Sequence, residues 1–302
     1  MEGFTEWLRD CHLCPRQCHI DRLNGQHGTC RAGLLPKVAL ASLHQWEEPC
    51  ISGTRGSGTV FFSYCNLSCL FCQNYDISQS DFGKEMGIPE LAELFIKQQQ
   101  RGSHNINLVS PTSFMPQITE ALIIAKEHGL TIPVIYNSNA YESVDALRYM
   151  DGLIDVYLPD LKYFSDEYAV KYSKAPHYFE HATAAIMEMY RQVGSPQFDD
   201  DGVIKSGLII RHLMLPGLIE DSKRILLWIR NNLPTEVYVS LMAQYTPMYK
   251  AKEHKELNRR ISRRQYEAII DYFFDIGLEN GYIQERSSAK SIYTPDFDLS
   301  GL

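Results

Sequence analysis

From about residue 57 onward, hydrophobic and polar positions follow two alternating patterns. Short runs rich in β-branched and aromatic residues predict strands, and longer segments between them carry apolar residues at helical spacing. In one such segment, Ile118, Leu122 and Ala125 share a helix face. The runs predict strands at 57–65, 105–110, 133–139, 155–162, 207–217 and 236–247. The segments predict helices at 89–100, 115–129, 143–151, 179–194, 220–232 and 263–277.

Six strand-helix repeats predict an α/β fold with a parallel sheet. A closed barrel of eight units usually needs more units and more chain, so a partial (β/α)6 barrel is the first prediction. An open doubly wound sheet is the alternative. In both folds the carboxyl ends of the strands face the active site, so residues just after the strands are candidates for function.

Residues 1–55 have a different character from the remainder, 56–302. They are rich in Cys, His, Gly and Arg and show little regular periodicity. A segment this short cannot bury enough apolar surface alone, so we predict a small metal-stapled appendage. The remainder is predicted to form the core, with a C-terminal capping segment.

The composition of the chain limits the kinds of partner that the protein is expected to bind. The chain has 302 residues and a net charge of −8, so it lacks the broad positive field of nonspecific nucleic-acid binding. Its first residues lack the basic and apolar regions of a signal peptide, and no run of eighteen apolar residues occurs. We expect a cytoplasmic protein with neither nucleic acid nor membrane as partner.

The eight cysteines all lie in the first quarter of the chain, which favours metal binding over disulfides. Cys65, Cys69 and Cys72 come directly after the first predicted strand. Four thiolates would fill a zinc site or cap every iron of a [4Fe–4S] cluster, whereas three leave one iron open. S-adenosylmethionine could chelate that iron through its amino and carboxylate groups. The alternative is a zinc site with a His or a distant Cys as fourth ligand.

The spacing Cys65-x3-Cys69-x2-Cys72, with Phe71 before the last cysteine, resembles the signature of the radical S-adenosylmethionine superfamily. The segments 44–78, 157–163 and 209–217 and the ending IYTPDFD resemble its pyruvate formate-lyase activating enzyme-related branch. The resemblance covers nearly the whole chain. It implies a [4Fe–4S] cluster on the three catalytic cysteines and reductive cleavage of S-adenosylmethionine to a 5′-deoxyadenosyl radical.

The resemblance also implies cofactor contacts after the strands. Many relatives carry Gly-Gly-Glu after the second strand to bind the methionine amine, but this chain has Ser110 and Thr112 there and no carboxylate. Their hydroxyls, or backbone carbonyls, are the candidate acceptors. The other candidates for cofactor binding are Asn137, Ser138, Asn139, Asp160, Lys162 and His212. For Arg211, His212, Gln244 and Tyr245, a structural role and a ligand contact both stay open.

A second cysteine group precedes the strands, as Cys11-x2-Cys14-x3-Cys18-x11-Cys30. Four thiolates fit a closed site, holding either zinc as a staple or an iron–sulfur cluster as an electron relay. Cys50 or His19 could replace one ligand. Farther along, His44 and Trp46 could cover the catalytic cluster.

The function expected first is a radical enzyme that abstracts hydrogen from a partner protein, such as a glycyl-radical enzyme. Radical modification of a small molecule or of a protein side chain is the alternative. A non-catalytic, metal-stapled binding protein is the third. The expected electron donor is reduced flavodoxin or ferredoxin.

Overall fold

The computed structural model describes residues 2–285 and 295–302. The strands are β1 (Lys37–His44), β2 (Ser57–Phe62), β3 (Lys84–Glu85), β4 (Ile106–Val109), β5 (Val134–Ser138), β6 (Val156–Pro159), β7 (Gln197–Phe198), β8 (Ile204–Leu213), β9 (Tyr238–Met242) and β10 (Gly281–Ile283). The helices are α1 (Glu2–Arg9), α2 (Pro49–Ser52), α3 (Tyr75–Ser78), α4 (Ile88–Gln100), α5 (Met115–Glu127), α6 (Val144–Tyr149), α7 (Asp166–Ser173), α8 (Tyr178–Val193), α9 (Ile219–Asn232) and α10 (Arg263–Asp275).

The sheet runs in the order β10-β9-β8-β6-β5-β4-β2-β1-β3 over the described residues, and β7 pairs with β8. The six strands predicted from the sequence, now β2, β4, β5, β6, β8 and β9, are parallel neighbours in chain order. Because this order has no reversal and the two ends of the sheet do not pair within residues 2–285 and 295–302, it is a partial barrel rather than a doubly wound sheet. The predicted fold class is confirmed.

Strands on both sides of the six parallel strands were not predicted. β1 lies antiparallel beside β2, with Ala41 opposite Val60, so the Cys-rich range 1–55 contributes a strand to the main sheet. At the other edge, β10 adds a further parallel strand to β9. The strand β1, KVALASLH, is followed by the four-residue helix α2, which is too short to show the helical spacing of apolar residues that marked the other strand-helix units.

Several helices begin at residues that favour the start of a helix. α4 and α5 each carry a proline in the first turn, where the missing N–H costs nothing. α10 starts at a capping box in which Ser262 and Gln265 satisfy each other's backbone N–H groups. Among the described helices, none is long and apolar enough to cross a lipid bilayer.

The core lies between the sheet and these helices. All six positions of β2 are buried, as expected for a strand covered on both faces. Ile118, Leu122 and Ala125 of α5 are fully buried, which confirms their predicted face. This packing fixes the strand ends, and therefore fixes the loops that follow them.

Candidate functional site

A cavity of about 1600 Å³, including its open mouth, lies at the carboxyl ends of the parallel strands. Its lining contains residues that follow four neighbouring strands. The predicted site residues among them are Cys65, Cys69, Cys72, Ser110, Asn137, Ser138, Asn139, Asp160 and Lys162. His44, Trp46 and Gln244 line the same cavity. The structure therefore brings most of the predicted site together.

The cysteine loop begins where β2 ends. Tyr64 has a φ of 69°, a left-handed conformation that turns the chain away from the sheet. Each of the three sulfurs has a nearby polar group. Cys65 Sγ accepts from the Leu67 amide and from Asn139 Nδ2, both at 3.4 Å. Ser173 Oγ lies 3.0 Å from Cys69 Sγ, and Ser78 Oγ lies 3.3 Å from Cys72 Sγ.

The three thiols are electrostatically unfavourable as free thiolates. Burial raises the pKa of Cys65 to about 12 and that of Cys72 to about 11, and the neighbouring Cys69 adds to both. Burial also raises the pKa of Cys69, although the Lys162 ammonium opposes it. A cationic metal centre relieves this cost because it stabilises the deprotonated sulfurs. Three sulfurs around one cavity thus fit a cluster bound on three corners.

Two aromatic rings cover the apolar side of the cysteine loop. Phe71 is buried and meets Tyr245 edge to face, with ring centroids 5.8 Å apart. The Tyr245 hydroxyl donates to the Leu257 carbonyl at 2.8 Å, so this tyrosine has a structural contact and lies outside the cavity lining. Apolar cover of this kind excludes water from a metal centre.

A chain of charged groups crosses the cavity floor. Lys162 Nζ lies 2.6 Å from Asp160 Oδ2, and Arg211 Nε lies 2.7 Å from Asp160 Oδ1. Arg211 also donates to Asn137 Oδ1 at 2.7 Å and to Glu47 Oε2 at 3.2 Å. Burial would raise the pKa of Asp160, but the charges of Arg211 and Lys162 outweigh it and hold that pKa below its usual value. Lys162 stays charged despite burial, because Asp160 and Cys69 raise its pKa.

Glu47 and Glu48 were not predicted as site residues. They lie between β1 and α2 and line the cavity opposite Arg211. Burial raises the pKa of both carboxyls against the attraction of Arg211, that of Glu48 to about 7. The sequence offered one signal that these residues belong to a site, namely the two consecutive carboxylates in HQWEEP. The sequence alone did not bring residue 47 next to residue 211, because that contact depends on the unpredicted strand β1.

Two predicted cofactor contacts lie outside this cavity. His212 is buried on the other side of β8, where its Nδ1 meets the Leu161 carbonyl and its Nε2 meets Ser222 Oγ, each at 2.8 Å. Burial lowers its pKa to about 4, so it is neutral. Thr112 donates to Glu142 Oε1 at 2.7 Å and lines a separate cavity. Both side chains are therefore satisfied by protein groups rather than directed at the predicted cofactor. Side chains alternate between the two faces of a strand, so Arg211 and His212 face opposite sides of β8. This explains why His212 lies outside the cavity that Arg211 lines.

The separate cavity is lined by Cys11, Cys14, Cys18 and Cys30. None of the eight cysteines forms a disulfide. Cys50 is remote from these four, packed with Ile51 and Leu158, and His19 pairs with Asp10 at 2.8 Å. In the described part of the chain, no group of three or more His, Cys, Asp or Glu residues is arranged to hold a single metal ion. The three catalytic cysteines and the four N-terminal cysteines each line a cavity.

Comparison with known proteins agrees with this geometry. The family model of the Radical SAM superfamily matches residues 59–229. The uncharacterized protein MJ0674 of Methanocaldococcus jannaschii is 33% identical over 277 residues, which are 87% of this chain and 74% of that protein. The chain belongs to the Radical SAM superfamily, as its cysteine spacing predicted.

Solved structures share the fold. SuiB of Streptococcus suis bound to S-adenosylmethionine superposes with a TM-score of 0.50 and 14% identity, over 74% of this chain and 48% of SuiB. SuiB bound to the precursor peptide SuiA gives a TM-score of 0.50 over 74% of this chain and 47% of SuiB. The chain thus spans about half the length of SuiB, and this likeness concerns the fold.

Membership of the superfamily implies an enzyme that uses a [4Fe–4S] cluster and S-adenosylmethionine. The residues present fit both groups. Cys65, Cys69 and Cys72 supply the three sulfurs, and the same cavity carries a buried ammonium at Lys162 and amide and hydroxyl groups at Asn137 and Ser110.

Proposed function

We propose that this protein reductively cleaves S-adenosylmethionine and uses the resulting radical to abstract hydrogen from a partner protein, in the manner of a glycyl-radical activating enzyme. The observation that carries this proposal is that Cys65, Cys69 and Cys72 line one cavity with Lys162. The cluster would supply one electron to the sulfonium. The protein's own groups bind and orient the cofactor and exclude water.

In this proposal Lys162 neutralises the methionine carboxylate. Lys162 lines the same cavity as the three cysteines, and its ammonium opposes the rise that burial causes in the pKa of Cys69. Asp160 holds its ammonium in place from 2.6 Å. Ser110, in a left-handed conformation at the end of β4, presents its hydroxyl to the methionine amine. Ser138 and Asn139 serve the ribose, and Asn139 also fixes Cys65.

A protein substrate is supported by two features. The cavity is open at its mouth, so a segment of another chain could reach the cysteine loop. SuiB, which shares the fold, is solved with a precursor peptide. The motifs at 44–78 and 209–217 lead us to place the chain in the pyruvate formate-lyase activating enzyme-related branch. Radical modification of a small molecule is the second candidate function.

Reduced flavodoxin or ferredoxin would serve as electron donor, and the protein would act in the cytoplasm. The test uses anaerobically reconstituted full-length protein with dithionite. It should convert S-adenosylmethionine to 5′-deoxyadenosine and methionine, and a glycyl-radical EPR doublet should appear on a co-expressed candidate partner. Protein that holds a complete cluster but never cleaves the cofactor would contradict the enzymatic proposal.

A further inference from the structure

Glu48 carries an unused carboxylate oxygen in the wall of the catalytic cavity. The residue is only 6% exposed and lines the cavity, yet over residues 2–285 and 295–302 its Oε2 has no hydrogen-bond partner. The hydroxyl of Ser240 lines the same cavity and is likewise buried and unpartnered. Ser240 opposes the rise in the pKa of Glu48 without completing a hydrogen bond to it. Buried polar groups without partners are uncommon in folded proteins and require an explanation.

Glu48 also lacks a cation of its own. Arg211 makes its ion pairs with Glu47 at 3.2 Å and with Asp160 at 2.7 Å. In the described part of the chain no lysine or arginine pairs with Glu48, and Arg211 acts on this carboxyl without an ion pair. Burial therefore outweighs Arg211 and raises the pKa of Glu48 to about 7. Because a buried carboxylate is costly unless it is paired, a positive group would be stabilised here.

Glu48 enters the cavity from the end of the sheet away from the catalytic cysteines. It directly precedes α2, in which Cys50 and Ile51 pack in one cluster with Val156 and Ile204, the first residues of β6 and β8. The catalytic cysteines follow the carboxyl end of β2 instead. Glu48 and the cysteines therefore lie at opposite ends of the cavity. A substrate group that binds Glu48 must reach from the mouth to the inner end.

The wall that leads to Ser240 is apolar. Side chains two residues apart on a strand share a face, so Met242 follows Ser240 on β9 and Leu213 follows Arg211 on β8, toward the mouth. Met242 and Leu213 are neighbours in the sheet, and both line the cavity. A group that enters along this wall meets apolar side chains first and a carboxylate beyond them. The side chains of lysine and arginine match this order, because each carries its charge at the end of a flexible apolar stem.

We propose that Glu48 and Ser240 form a subsite for the charged end of a lysine or arginine side chain in the protein substrate. Glu48 Oε2 and Ser240 Oγ accept hydrogen bonds from its ammonium or guanidinium group, and Leu213 and Met242 contact its stem. The inference rests on the proposed function, because it takes the substrate to be a protein. It adds a requirement to that function: the segment of the partner that enters the cavity carries a positively charged side chain.

Binding of short peptides to the reconstituted full-length protein tests this subsite. The probe is acetyl-Gly-Gly-Lys-Gly-Gly-amide, and two matched peptides carry Gln or Glu in place of Lys. Dialysis is done with S-adenosylmethionine present, without a reductant, and at pH 8, above the pKa of Glu48. The lysine peptide should bind at least about tenfold more tightly than the glutamine peptide, because it alone pairs with the buried carboxylate. Equal affinities, a preference for the glutamate peptide, or no binding of any peptide at millimolar concentration would overturn the proposal.

Variants assign the preference to these residues. Glu48→Gln removes the charge and keeps the shape, so it should abolish the preference for lysine and leave the affinity for the glutamine peptide unchanged. Ser240→Ala should weaken binding of the lysine peptide several-fold, since one acceptor is lost. Glu93→Gln, on the exposed face of α4 where Glu93 pairs with Lys97, is the control and should keep the wild-type preference. A Glu48→Gln protein that still prefers lysine would refute the assignment, and the wild-type comparison decides the matter if this variant fails to fold.

These measurements require no cleavage of S-adenosylmethionine, so the two proposals can fail separately. Protein that prefers the lysine peptide but never forms 5′-deoxyadenosine would contradict the proposed function and support the subsite. Protein that cleaves the cofactor but binds the lysine and glutamine peptides equally would contradict the subsite alone.

Discussion

Arg211 binds Asp160 through Nε and Oδ1 at 2.7 Å, and this contact joins β8 to the end of β6 at the floor of the cavity. The same guanidinium reaches Glu47 in the loop after β1. One side chain therefore connects the N-terminal segment, the fourth parallel strand and the fifth.

Replacement of Arg211 by Met should destabilise the fold strongly. It would leave the largely buried carboxylates of Glu47 and Asp160 without this cation, and removal of one partner of a buried ion pair costs up to about 3–5 kcal/mol. The free energy of unfolding from urea titration measures the loss. Arg263→Met removes an exposed pair with Glu267 and should change stability by less than about 1 kcal/mol. Equal effects of the two substitutions would refute the role of Arg211.

Lys162→Met should weaken S-adenosylmethionine binding by roughly tenfold or more, equivalent to about 1.4 kcal/mol, because the methionine carboxylate loses its proposed partner. Equilibrium dialysis with reconstituted protein gives the dissociation constant. Lys205→Met is the matched control, since Lys205 is partly exposed and pairs with Asp199 at 2.9 Å. Unchanged affinity in the Lys162 variant would remove this lysine from the proposed site.

Cys69→Ala should abolish both the catalytic cluster and cofactor cleavage, because two cysteines do not bind a cluster on three corners. Iron analysis and product chromatography measure these properties separately. Cys50→Ala is the control: this cysteine is also buried, but it packs in a separate cluster with Ile51 and Leu158. Its loss should leave the iron content and cleavage intact. Comparable loss of iron in both variants would indicate general unfolding instead.

Glu142 should make the fold less stable as the pH rises. Burial raises its pKa to about 7 from the usual 4.5, so the folded state holds a proton that the unfolded state releases between those two values. The cost therefore grows from about pH 4.5 and is complete above about pH 7. Relative to wild type, Glu142→Gln should gain on the order of 2 kcal/mol between pH 5 and pH 8. Unfolding titrations at both pH values, with exposed Glu127→Gln as control, measure it, and a pH-independent difference would contradict the assignment.

The sequence predicted the part of the fold that repeats along the chain. The six parallel strands and their helices carry strong periodic patterns, and the catalytic cysteines have a diagnostic spacing. The strand ends were less accurate: the first predicted strand, 57–65, ends at Phe62, because Tyr64 turns the chain into the cysteine loop. Asp160 and Lys162 were predicted from the resemblance together with their place at a strand end, and both line the cavity.

What could not be predicted depends on contacts distant in sequence. Glu47 reaches Arg211 only because β1 pairs with β2, and no local pattern specifies that pairing. Alternation predicts that Arg211 and His212 face opposite sides of β8, but which of them faces the cavity depends on how β8 sits in the sheet.

The pairing of β1 with β2 also affects how the protein can be shortened. A chain begun at residue 56 would keep every catalytic cysteine but would expose the outer edge of β2. All six residues of that strand, SGTVFF, are buried in the intact protein. An uncovered hydrophobic edge is a template for pairing with another molecule, so the truncated chain should self-associate into β-rich aggregates rather than yield an isolated catalytic unit.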